Sequence, residues 1–398
     1  MNRNYADFFI EAASAQRYKH GQLVCGDTLI SRKIPAQKRL ISVLSDGLGS
    51  GIKANVLSSL TASMAMKYAT HKRNLVHAAE TIMRTLPMDA LRKISYATFT
   101  IVDVEMNGLC HILEYDNPPA IVLRQGRVIT LGSTTTSGSL DASRTYELHH
   151  RSITLQEGDT VVYFSDGVSQ SGIGSPRLPF GWEEQGVADF LQYTLHRQPA
   201  ISARALAAQV VEHAFANCHY KATDDITCAV INVRKPRRLL VTTGPSVDPS
   251  RDAVMAQQVA QFDGQTAICG GTTATIIARE LKRSVTVDIA TLDPVVPCTS
   301  HMAGVDLITE GMITLAKVIE LLERGLPYDE MKQVNGAVKL IELFQECDII
   351  EFVVGTKINE VHQDPTMPLE LGIRRNSIKS LARLLEEKLL KEVKITYI

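Results

Sequence analysis

The sequence predicts α+β layers over residues 1–234 and an α/β domain with a mainly parallel sheet over residues 235–398. Three observations carry that division. In the first part strand-like runs cluster and helical runs come in pairs, which suits segregated layers rather than alternating βαβ units. Past residue 238 the rhythm changes to strand, glycine, helix, the mark of a parallel sheet. Between them lies Arg234-Lys235-Pro236-Arg237-Arg238, a basic, proline-bearing stretch suited to a domain boundary.

Each element has a local reason. The chain opens with a short helical stretch, followed by strand-like runs at 22–29 and 39–44. Helical periodicity then holds over 52–69 and 74–86, with Leu57, Leu60, Met64 and Tyr68 spaced as a core-facing row. Strands follow at 96–105, 110–115, 120–124, 128–131, 146–155 and 160–165. Asn107-Gly108, Gln125-Gly126 and Glu157-Gly158-Asp159 separate them as hairpin turns. The Ser/Thr-dense residues 132–143 read as a loop, and Trp182, the single tryptophan, as a packing anchor. Helices at 184–195 and 201–217 lead to a last apolar strand, 226–233.

In the second part, strands 239–243, 266–269, 305–309 and 349–354 each run into glycine, at Gly244, Gly270-Gly271, Gly311 and Gly355. Helices are expected near 251–262, 272–281, 313–324, 329–344 and 378–391. The closing stripe of Ile378, Leu381, Leu384, Leu385, Leu389 and Val393 is too short for a sustained coiled coil and reads as packing on its own domain.

Composition excludes several classes. The 398 residues hold 42 Lys+Arg against 43 Asp+Glu, a net charge of -1, so no basic stripe argues for nucleic acid. No apolar run is long enough to span a bilayer. The first residues carry Asp7 and Glu11 and lack the basic-then-apolar order of a signal peptide, so a cytoplasmic protein is expected. The seven cysteines form no C-x-x-C pair and read as buried small apolar groups. Cys110 and His111 are neighbours on one strand and point to opposite faces. The oligomeric state stays open.

Four motifs place an aspartate where an apolar strand ends or begins: Cys25-Gly26-Asp27, Ser45-Asp46-Gly47-Leu48-Gly49-Ser50-Gly51, Ser165-Asp166-Gly167 and Thr223-Asp224-Asp225-Ile226-Thr227. Each alone is an ordinary turn or strand start. Together they ask for more. Gly47, Gly49 and Gly51 let the backbone approach a neighbour closely and present carbonyl oxygens. Aspartates gathered from strand ends repel one another unless cations compensate. Hard, oxygen-loving Mg²⁺ or Mn²⁺ suits such a set better than zinc. A carboxylate-rich, two-metal hydrolytic site is the expectation, and spacing alone leaves open whether the four motifs converge.

These motifs, with Ser95 to Asp103 reading S-Y-A-T-F-T-I-V-D and 223–230 reading T-D-D-I-T-C-A-V, resemble the metal-dependent (PPM, type 2C) protein serine/threonine phosphatases. The bacterial branch typified by stage II sporulation protein E is the nearest in order and spacing, over about residues 20–233. The resemblance implies an αββα fold, an antiparallel β-sandwich flanked by helix pairs. It assigns Asp46 as the carboxylate bridging two metals, with the Gly47 carbonyl and Asp27 on the second metal and Asp166 and Asp224 on the first. Asp225 stands where many relatives have Asn and is a neighbour or a further ligand. Two cations would lower the pKa of a bridging water and neutralise the phosphoryl charge during direct in-line attack. Leu48 replaces a histidine of the animal enzymes, and no counterpart of their phosphate-gripping arginine is evident; Arg17 and Arg32 read as solvated surface groups. The implied substrate is a phosphoprotein, on the pattern of anti-sigma-antagonist proteins.

The second domain resembles no family. Its Gly270-Gly271-Thr272-Thr273 junction would leave free N–H groups and hydroxyls at a helix N-terminus, suited to a small anionic ligand. In open α/β sheets ligands collect at that strand edge. A sensor or scaffold role for the domain follows, against two rivals: a catalytically silent interaction module, and an enzyme whose main chemistry lies in the second domain.

Overall fold

In the computed structural model, residues 8–71, 74–85, 97–141, 144–327, 329–356 and 368–398 are described. Contacts cluster into two compact units, Met1–Lys235 and Pro236–Ile398.

The first unit contains two sheets, and every strand pairing in them is antiparallel. The five-stranded sheet has the order β1 (Phe9–Arg17), β11 (Ile226–Arg234), β10 (Asp159–Phe164), β6 (Ile121–Arg124), β7 (Arg127–Ile129). The six-stranded sheet runs β2 (Asp27–Ile34), β3 (Arg39–Gly47), β4 (Ala97–Glu105), β5 (Leu109–Tyr115), β9 (Arg144–Thr154), β8 (Thr134–Asp141).

Side-chain alternation builds the layers. Ile41 and Val43 of β3 join a core with α1 (Gly51–His71) and α2 (Leu75–Thr85). Leu40, Ser42 and Leu44 point the other way, and the buried Tyr163 hydroxyl of β10 donates to Ser42 Oγ, tying sheet to sheet. On the outer side of the five-stranded sheet, after the short α3 (Asp166–Ser169), α4 (Glu183–Arg197) and α5 (Ala203–Asn217) pack over Phe164, Cys228 and Val230. Trp182 is part of that core, with its ring edge-on to Phe190 and tilted against His213.

Several expectations need correction. The opening of the described chain is a strand, β1, rather than a helix; residues 1–7 lie outside the described residues. Its Ala-Ala-Ser-Ala run is composed of good helix formers, and pairing with β11 over nine residues overrides that propensity. The second strand starts at Asp27 instead of 22. The Ser/Thr-dense stretch forms β8, paired with β9, and its residues 142–143 lie outside the described ones. The helix expected to 86 and the strand expected from 96 likewise touch residues outside the described set. On α1 the buried row is Ala54, Ser58, Thr61, Ala62, Ala65, Met66 and Ala69. Mostly small side chains let this helix lie close to the sheet; of the expected row, Met64 and Tyr68 pack partly buried against that core, Leu57 is half-buried, and Leu60, 49% exposed, turns outward. Cys298 is only partly buried, unlike the other six cysteines.

The second unit has one seven-stranded sheet, ordered β14 (Thr286–Asp288), β15 (Thr299–Met302), β16 (Val305–Thr309), β13 (Gln265–Cys269), β12 (Arg238–Thr243), β17 (Ile349–Val354), β18 (Glu392–Tyr397). From β16 to β18 all neighbours are parallel, and β15 and β14 extend the sheet antiparallel. One face carries α8 (Met312–Glu323), α9 (Gly336–Glu346) and α10 (Pro368–Leu389); the other carries α6 (Asp252–Gln261) and α7 (Gly271–Leu281). The run expected as one helix over 329–344 breaks in two, because the Asn335 side chain accepts from the N–H groups of Ala337 and Val338 and starts α9 afresh. Ile378, Leu381, Leu384 and Leu385 bury in their own unit, but Val393 belongs to strand β18, beyond the end of the helix. Among the described residues no helix is long and apolar enough to cross a membrane.

Candidate metal and phosphoryl site

Strand register brings the first two acids together. Asp27 at the start of β2 pairs directly with Asp46 near the end of β3. By alternation from Ser42 and Leu44, Asp46 points between the sheets, at one open end of the sandwich. The other sheet delivers its acids to the same end. Asp166 follows β10, and Asp224 and Asp225 precede β11, which is antiparallel to it. Thr227 Oγ1 donates to Asp27 Oδ2 at 2.6 Å, and the Ser165 hydroxyl accepts from Thr227 N–H at 3.1 Å, so the two sheets are pinned there.

Glycine permits this convergence. A Cβ on Gly47 would lie 2.1 Å from the Ala54 carbonyl oxygen of α1, and one on Gly167 would lie 2.1 Å from the Asp225 carbonyl oxygen. Neither position tolerates a side chain while helix and acid loop stay in place.

The result is an open basin of about 500 Å³ lined by Lys19, Asp46, Gly47, Leu48, Gly49, Ser50, Ala97, Thr98, Asp116, Asp166 and Asp224. Asp27, 2% exposed, stands behind Asp46. Asp225 is buried, with Oδ1 accepting from the Lys19 N–H at 3.0 Å and Oδ2 facing Gly26. Burial, then repulsion from Asp27, Asp166 and Asp224, pushes the Asp46 carboxyl up to about 10. Burial is also the first cause that raises Asp27, to about 7, and Asp166. Asp27 Oδ1 is buried with no hydrogen-bond partner. An orphaned acidic oxygen beside three neutralised or repelling neighbours fits a site that takes cations. Among the described residues no three acids stand at ligand spacing, so the set would draw closer around an ion.

Two charged basin residues, Asp116 and Lys19, carry no sequence motif of the four. Asp116 ends β5 with a positive φ of 52°, and burial raises its carboxyl. The rule that singled out the other acids, an aspartate where an apolar strand stops, applies equally to Glu114-Tyr115-Asp116. Lys19 has no such signal. Arg17 pairs with Glu212 on the surface and Arg32 is exposed, so neither reaches the basin.

In the second unit, Gly270, Gly271, Thr272 and Thr273 all line one crevice of about 150 Å³ at the carboxyl ends of β12, β13 and β16. Thr243, Gly244, Glu310 and Arg374 complete its wall. The start of α7 has no side-chain cap, whereas Glu310 accepts from Ile313 N–H and caps α8. Arg374, on α10, sits beside Gly244 and donates to the Gly355 carbonyl.

Two antiparallel sheets between helix pairs, with acids gathered where strands of both sheets stop, define the type 2C class of phosphatase domain. A family model described as stage II sporulation protein E matches residues 36–234, half of the chain. The chain belongs to that family, and with it to the divalent-metal-dependent protein serine/threonine phosphatases. Solved structures similar to it include the phosphatase domain of the cell fate determinant SpoIIE from Bacillus subtilis (19% identity, 57% of this chain and 94% of that one, TM-score 0.43). RsbX in complex with magnesium is similar at 18% identity (56% and 95%, TM-score 0.40). The serine/threonine phosphatase of S. agalactiae is similar at 15% (56% and 99%, TM-score 0.42). No curated protein matches the chain.

Proposed function

We propose that the first unit hydrolyses Ser/Thr phosphomonoesters on a signalling phosphoprotein of the anti-sigma-antagonist type, by direct attack of water and without a phospho-enzyme. Two divalent cations, Mn²⁺ or Mg²⁺, would supply an acidified water and neutralise phosphoryl charge. Asp46 would bridge them, with Asp27 and the Gly47 carbonyl on one side, Asp166 and Asp224 on the other, and Asp225 as a neighbour of the set. Ser165 and Thr227 hold Asp27 in place. Leu48 lines the basin without a proton to give, so the leaving alkoxide takes its proton from water.

The single observation that carries this reading is the Asp27–Asp46 cross-strand pair, one oxygen of which is buried and unpartnered. The test is phosphate release from a phosphoserine peptide with EDTA, Mg²⁺ or Mn²⁺. Turnover that appears only with a divalent ion and vanishes in Asp46→Asn supports it; metal-independent turnover, or none at all, overturns it. The silent-module rival predicts no turnover under any ion.

For the second unit we propose a regulatory role, with a small anion held in the Gly270–Thr273 crevice. Its support is the placement of an uncapped helix start and the Arg374 guanidinium around one small cavity. Activity retained in a chain lacking residues 236–398 would argue against the main chemistry lying there.

A further inference from the structure

A phosphomonoester dianion entering the basin meets the carboxylates of Asp46, Asp116, Asp166 and Asp224. Cations bound among those acids account for charge on one side of the phosphoryl group; the other oxygens need a donor from the protein. Among the described residues lining the basin, Lys19 is the one basic side chain. Its placement is built in. The Lys19 N–H donates to Asp225 Oδ1 at 3.0 Å, the His20 N–H to the Ala222 carbonyl at 2.9 Å, and the Gln22 N–H to the Lys19 carbonyl at 3.0 Å. The turn that carries Lys19 is thus laced to the loop that carries Asp224 and Asp225.

The side chain itself is held loosely. Lys19 Nζ lies 3.6 Å from Asp224 Oδ1, beyond hydrogen-bonding distance, and is about one-third exposed. An ion pair of that length and exposure is weak. Once Asp224 is engaged by a cation, the ammonium loses its partner and stays within reach of whatever fills the basin.

We propose that Lys19 binds the phosphoryl oxygens of the substrate and of the phosphate product, a role that no arginine among the described residues lining the basin occupies. The inference deepens the proposed hydrolysis and rests on it for the identity of the ligand. A flexible, strongly hydrated ammonium contributes a point charge rather than a two-pronged grip, so its loss falls on binding more than on the chemical step.

The experiment compares wild type, Lys19→Met and Lys19→Arg as full chains in Mn²⁺. It measures p-nitrophenyl phosphate kinetics, inorganic phosphate binding by calorimetry, and Mn²⁺ affinity. In Lys19→Met the expected result is KM and the phosphate Kd both raised about tenfold, with kcat within about threefold and Mn²⁺ affinity within about twofold. Lys19→Arg keeps most of the wild-type phosphate affinity. Unchanged phosphate Kd in a folded Lys19→Met protein overturns the inference, as does a shift confined to Mn²⁺ affinity, which would make Lys19 a partner of Asp224 only. Phosphate binding is read without turnover. An inactive wild type that loses phosphate affinity on Lys19→Met therefore sinks the hydrolytic reading while sustaining this one.

Discussion

The two units put their polar groups in the same kind of place and equip it oppositely. In the sandwich, strands end in carboxylates, buried deeply enough that Asp46 and Asp27 resist ionisation. In the parallel sheet, strands end in glycine and threonine beside an uncapped helix start and a guanidinium. A strand end is geometrically generous in both cases; the side chains there decide which sign of charge is welcome. The first edge gathers acids, and the second, where an anion site is proposed, sets an uncapped helix start and Arg374 beside Glu310.

The largest expected effect on this contrast comes from Asp46→Asn. Turnover should fall by about 10³-fold or more, because the residue joining both halves of the acid set is lost. Without divalent ions the same variant should melt about 2–4 °C higher, since it removes a carboxyl whose ionisation the site opposes. Loss of activity with a lower melting temperature would place Asp46 in the scaffold instead.

Next is Gly167→Ala, whose Cβ would meet the Asp225 carbonyl oxygen at 2.1 Å. A cost of about 2–4 kcal/mol is expected, with weakened Mn²⁺ binding, read by denaturant melts and calorimetry. A neutral result would show that the acid loop can back away from the glycine.

The pH dependence is a gentler probe. Asp46 and Asp27 titrate above the ordinary carboxylate value, near 10 and 7. Their contribution to stability is therefore present at acid pH, below the unfolded value, and is lost as pH rises towards 7 and then 10. Stability of the ion-free protein should decline over that window, and saturating Mn²⁺ should flatten the decline while releasing about two protons per molecule near pH 6, one each from Asp46 and Asp27. Calorimetry in buffers of different ionisation enthalpy counts those protons.

The smallest effect belongs to the second edge. Excess inorganic phosphate should raise the melting of the second unit by about 1–2 °C, and Arg374→Ala should remove the shift. A shift that survives would leave the crevice without its cation.

The acid set could be read from the sequence because each part lies in a contiguous motif at a strand end. The metal-directed reading of Gly47 also rested on local information. What escaped was information held by distant partners. The small residues of β1 acquire strand identity only from β11, more than 200 positions on. Leu60 of α1 belongs to an apolar row by spacing, and spacing cannot reveal that alanines bring the helix close enough to turn it outward. Asp116 obeys the same rule, directly after β5, in a segment whose other residues carry no site motif. Lys19 had no rule to obey; only the loop bonded to Asp225 and Ala222 brings it to the basin.

The pairing of β1 with β11 has a consequence for synthesis. Phe9 faces Arg234 and Arg17 faces Ile226, so the first described strand of the unit waits, during synthesis, for the last. Until then its edge is open to other nascent chains, and a pause in translation before residue 226 would prolong that exposure. Arg234 also reaches back to Glu11 at 3.0 Å, a clasp that closes only once the whole unit has emerged.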